Sequence, residues 1–131
     1  MKKEEPTIEE QLKTQRTEVL KQLEDWSTNS AFNVGENEYK ISKLSHQFRL
    51  EVVAIYSQIE SNIMTGNYGF LMNKEFKDVM KKVDEKILFE NSQISKLPNH
   101  FEEHAEDYLD YVAISMKVIS YPFYKRKLIT G

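Results

Sequence analysis

Apolar residues recur along most of this chain at intervals of three and four, the step that lines side chains up on one face of a helix. The pattern is strongest from Ile41 to Met64. There Ile41, Leu44, Phe48, Val52, Ile55, Ile59 and Ile63 form one stripe, and Leu50, Val53 and Met64 a weaker second one. Apolar residues on two sides predict a helix covered by more than one neighbour, so Ile41–Met64 is expected to be the central helix of a bundle.

The same spacing places the other helices around it. Thr7 and Glu10 have the spacing of a capping box, opening a first helix whose stripe is Ile8, Leu12, Val19, Leu23 and Trp26. The stripe is narrow, which predicts a helix lying across a surface with much of itself in water. Ser27 to Ser30, then Gly35, end it by competing for backbone hydrogen bonds. Gly66-Asn67-Tyr68-Gly69 marks a turn. Asn73 is a candidate N-cap for a third helix that buries Phe76, Val79, Met80, Val83 and Ile87. Its other face, Lys74, Lys77, Asp78, Lys81, Lys82, Asp84, Glu85 and Lys86, reads as solvated with weak ion pairs. Asn91 to Asn99 is a connector. Asn99, with Glu102 three residues on, starts a last helix that runs to Tyr121, where Pro122 is expected to block it. The expected fold is all-α: a mostly antiparallel bundle of four main helices in one domain over residues 1–131, with residues 1–6 a disordered tail.

The last helix has too many apolar faces for a surface element. Phe101, Ala105, Tyr108, Leu109, Val112, Met116 and Ile119 share one side. The opposite side begins polar, with His100, Glu103, His104, Asp107 and Asp110, and then turns apolar at Tyr111, Ile114, Val118 and Tyr121. A helix greasy all round must be covered, either by another helix of the same chain or by a partner. Large exposed apolar patches are rare on monomers and aromatic residues are enriched at interfaces. Tyr111, Ile114, Val118, Tyr121 and the adjacent Tyr124 are therefore the expected partner-binding residues. Glu103, Asp107 and Asp110 would form a polar rim that selects orientation.

Composition narrows the class. The chain has 131 residues, 40% apolar and 30% charged, which suits a globular domain rather than a disordered one. A formal charge of −3 lacks the concentrated positive field of a nucleic-acid surface. The Tyr121-to-Lys127 tail, with three consecutive cations, reads instead as a cap on the negative end of the last helix. No apolar run approaches the ~20 residues that cross a bilayer, and residues 1–13 have no apolar signal core. With no Cys there are no disulfides or thiolate ligands, which fits a reducing compartment. A cytoplasmic protein with neither nucleic-acid nor membrane partner is expected.

Candidate chemistry is sparse. His100-Phe101-Glu102-Glu103-His104 matches the H-x-x-E-H pattern of the inverzincin metalloproteases. Histidines at i and i+4 can reach one metal, and Asp107 can offer a third ligand. The chain has almost no length left, however, for that family's distant downstream glutamate. His46, followed three residues later by Arg49, resembles the histidine phosphotransfer domain, a helical bundle with an exposed histidine on a helix. The small glycine that follows the basic residue in that family is Leu50 here, and His46 falls on the weaker apolar stripe, as a half-buried structural histidine would. There is no phosphate-binding glycine loop, no Glu-x-x-His di-iron repeat and no G-x-S-x-G elbow. The sequence therefore points to a non-enzymatic adaptor, accessory or inhibitory protein without a cofactor, binding another protein or a second copy of itself through its last helix. Activity at His100/His104 or at His46 is the alternative.

Overall fold

The computed structural model describes residues 7–130, and the side chains of residues 7–126. Residues 1–6, expected as a tail, lie outside the described residues. The elements run α1 (Ile8–Asn29), β1 (Ala31–Val34), β2 (Asn37–Ile41), α2 (His46–Thr65), α3 (Lys74–Lys86), β3 (Ile87–Phe89), β4 (Ser92–Gln93), α4 (His100–Glu103) and α5 (Tyr108–Thr130), with short 3-10 turns between. The four strands form one antiparallel sheet in the order β1-β2-β3-β4. The fold is thus mixed α/β, and the expected all-α four-helix bundle is wrong.

The sheet arises where the helical reading of the sequence stops. Phe32 and Val34 alternate with polar Asn33, and Tyr39 lies between Glu38 and Lys40, a two-residue period that buries Phe32, Val34 and Tyr39. A two-residue turn joins the strands, with Gly35 at φ +58° in its first position, where glycine carries no steric penalty. Ile41 belongs to β2, opposite Ile87 of β3. Ile87 is buried, but in a strand rather than in the third helix. A second hairpin turns at Glu90 and Asn91, both at positive φ.

The helices begin and end largely where their caps dictate. Thr7 and Glu10 form the expected capping box. The second helix starts five residues later than expected, because the Ser45 side chain accepts from the Phe48 N–H. It ends at Gly66, φ +76°, whose N–H returns to the Asn62 and Ile63 carbonyls. Phe48, Val52, Ile55, Tyr56 and Ile59 of α2 are buried, but Met64 is 80% exposed, so the weaker stripe is not a second buried face. The central element is α5, which packs on α1, α2 and β1. Tyr111, Val112, Ser115, Met116, Val118, Ile119, Ser120 and Tyr121 follow one another along it as buried residues.

The last helix also differs from expectation at both ends. It breaks at His104, φ −124° and ψ 46°, so α4 is a single turn and α5 starts at Tyr108. The break lets Phe101 fold back, its ring centroid 4.9 Å from Tyr108 and 4.7 Å from Tyr111. At the other end Pro122 lies inside α5. A helical proline supplies no N–H to the carbonyl four residues earlier, here Val118. At the next carbonyl, Ile119, the Arg49 guanidinium donates at 2.9 Å and ties α2 to α5. No described helix is long and apolar enough to cross a membrane.

Candidate functional site

The apolar circumference of α5 is largely covered by the chain itself. Tyr111, Val118 and Tyr121 are buried, and Ile114 and Tyr124 are half-buried. Tyr111 packs among Phe32, Tyr39 and Phe101, and its hydroxyl donates to Asp84 Oδ1 at 2.7 Å. Asp84 is therefore no part of a solvated face. Burial raises its carboxyl from the usual range to about 6, the Tyr111 hydrogen bond opposing that rise. Tyr121 reaches α1, donating to Glu24 Oε2 at 2.7 Å, and Lys125 pairs with Glu24 Oε1 at 2.9 Å. Of the expected rim, Glu103 and Asp110 are exposed, while Asp107 accepts from the Asn37 side-chain amide at 2.8 Å and fastens the turn before α5 to the β1–β2 hairpin. Lys127 lies outside the described side chains.

The two neighbouring histidines border an open cleft of about 380 Å³, walled by Phe89, Lys96, Leu97 and Glu103 among others. The His100 and His104 rings are 4.8 Å apart. His100 is buried, and its Nε2 is 2.8 Å from the Tyr39 hydroxyl. Burial and the neighbouring His104 push the His100 pKa down, while burial and then Asp107 push the Tyr39 hydroxyl up to about 12. Both groups are neutral near pH 7, and their hydrogen bond ties α4 to the sheet. Asp107, the expected third ligand, is turned to Asn37. Among the described residues no three His, Asp or Glu side chains are grouped to hold a metal ion. His46 is exposed on the first turn of α2, its ring 5.7 Å from that of Phe123, rather than half-buried on the helix flank. The four-helix bundle that the phosphotransfer resemblance implies is absent.

Large apolar side chains are exposed at several places, among them Met64 and Met72, and three of them share one face of α1. Every residue from Thr7 to Val19 is exposed, including Ile8 at 76%, Leu12 at 59% and Val19 at 51%. Leu23 is the first residue of this helix to be buried. Leu20 through Trp26 therefore dock on the body, and the preceding three turns form an arm about 18 Å long. Two grooves flank the root of the arm. One, about 210 Å³, is lined by Val19, Gln22, Leu23, Trp26, Ile114 and Lys117. The other, about 280 Å³, runs along Leu12, Gln15, Arg16, Val19 and Leu23 to the same Lys117. Ile114 is thus an expected partner-binding residue that borders an open apolar groove formed with α1. The signal for the arm was present in the sequence as the narrow first stripe; what the sequence lacked was any mark that α5 would take only the C-terminal half of that stripe.

Comparison of the chain with protein families, with curated proteins and with solved structures returns no match.

Proposed function

We propose that this chain is a non-enzymatic binding protein that acts in the cytoplasm by docking the projecting half of α1 against a helix of another polypeptide. The docking surface lies on α1, with Ile114 and Lys117 of α5 at its root, rather than along α5. One observation carries the reading: three capped helical turns stand clear of the body and bear Ile8, Leu12 and Val19 in one exposed stripe. Apolar residues on one face of a helix are what lay it into a groove of another polypeptide.

The test places a photo-crosslinking amino acid at Leu12 in the producing cells, with a control at exposed Lys77 on α3. The expected result is a discrete adduct from position 12 that Val19→Asp abolishes and position 77 does not form. Equal, diffuse labelling from both positions would remove the arm as a docking surface.

A further inference from the structure

We infer that the helix received by this arm is the arm of a second copy, lying antiparallel to the first. The inference rests on reading the arm as a docking surface, and it names the occupant. Its seam is Ile8, Leu12, Gln15 and Val19, at steps of four, three and four. Turning one copy end for end about a point between Lys13 and Thr14 sets Ile8 of each copy opposite Val19 of the other. The same rotation sets Leu12 of each copy opposite Gln15 of the other. A polar side chain in the seam fixes register in paired helices at some cost in stability.

Charge complementarity selects this orientation. On the antiparallel pair, Glu9 of each copy falls beside Arg16 of the other along the same flank, which makes two opposite-charge pairs. A parallel pair would set each side chain against its own counterpart's level, where Arg16 meets Gln11 and neither Glu9 nor Glu18 meets a cation across the seam. It would also bring both bodies to one end of the arms. The antiparallel pair sends the bodies to opposite ends, and each Ile8 arrives at Val19, where the two grooves beside Leu23 and Lys117 begin. The seam spans three turns, well short of the roughly 800 Å² per partner of standard stable interfaces. The dimer is therefore weak and concentration-dependent.

Sedimentation of the full chain over a concentration series reaching about 1 mM tests this. The expected result is a monomer–dimer equilibrium that Ile8→Asp or Leu12→Asp abolishes without changing the unfolding midpoint of the body. Glu9→Arg weakens the dimer about three- to tenfold, and adding Arg16→Glu restores it. The chain has no Cys, so orientation is read directly by oxidation. Ile8→Cys and Val19→Cys proteins give a mixed disulfide when combined and little when oxidised alone. A monomer at every concentration overturns the inference, as does a dimer indifferent to Ile8→Asp and Leu12→Asp. Each cysteine variant crosslinking to itself, with no mixed product, overturns the antiparallel arrangement. A purified monomer that still yields a discrete adduct with a foreign protein at position 12 refutes self-pairing and leaves the docking role standing.

Discussion

The buried Asp84 carboxyl makes stability depend on pH in a direction opposite to that of an ordinary paired acid. Asp84 sits on α3 beneath Tyr111, which donates to it at 2.7 Å, and burial lifts its pKa from 3.8 to about 6. The folded protein thus holds a proton on this group that the unfolded chain gives up above its ordinary value. Stability from this site is fully present below about pH 4 and is lost as pH rises through about 6. A shift of about two units corresponds to roughly 3 kcal/mol between those limits. Asp84→Asn keeps an acceptor for Tyr111 and removes the charge. The variant should be more stable than the parent by up to about 3 kcal/mol at pH 8, and near equal to it at pH 4. His100 titrates in an overlapping window with the opposite sign, since its pKa is pushed below the ordinary 6.5. The difference between parent and variant, measured by urea unfolding at each pH, cancels that contribution. A difference that stays flat from pH 4 to pH 8 would refute the account of Asp84.

Other perturbations follow from the same packing. Leu23→Ala, at the point where α1 meets α5, should cost about 2–5 kcal/mol in urea unfolding, whereas Leu12→Ala on the arm should change stability by less than about 0.5 kcal/mol. Arg49→Met removes the donor to the Ile119 carbonyl and should cost about 1–3 kcal/mol in urea unfolding. His100→Gln should flatten the acid-side loss of stability that begins below about pH 6.5, because the folded state keeps His100 neutral while the unfolded chain protonates it. Gly35→Ala should destabilise by about 1 kcal/mol or more, since alanine at φ +58° is strained even though its Cβ would meet nothing closer than Asp107 Oδ1 at 3.8 Å.

The chain's local patterns determined most of the helices and the capping box of the first, whereas neither Asn73 nor Asn99 makes the side-chain cap expected of it. Thr7 with Glu10, the Gly66 stop and the stripes through Phe48, Val52, Ile55 and Ile59 and through Phe76, Met80 and Val83 are short-range features, settled within a few residues. What lay beyond them was decided by residues far apart in the chain. The Phe32/Val34 and Tyr39 alternation is too short to outweigh the helical spacing that runs on from Ile41; the hairpin pairs it locally, and Lys40 and Ile41 are held in the sheet by Leu88 and Ile87, far along the chain. Pro122 lies inside α5 rather than ending it, and the Arg49 guanidinium reaches the Ile119 carbonyl of the same helix, 70 positions later in the chain. The oily circumference of α5 was legible, but a stripe does not encode what covers it. Tertiary packing assigned that cover to α1, α2 and the sheet, and left an apolar stripe bare on the opening turns of α1. Burial is a property of two surfaces, and the sequence of either one states only its own half.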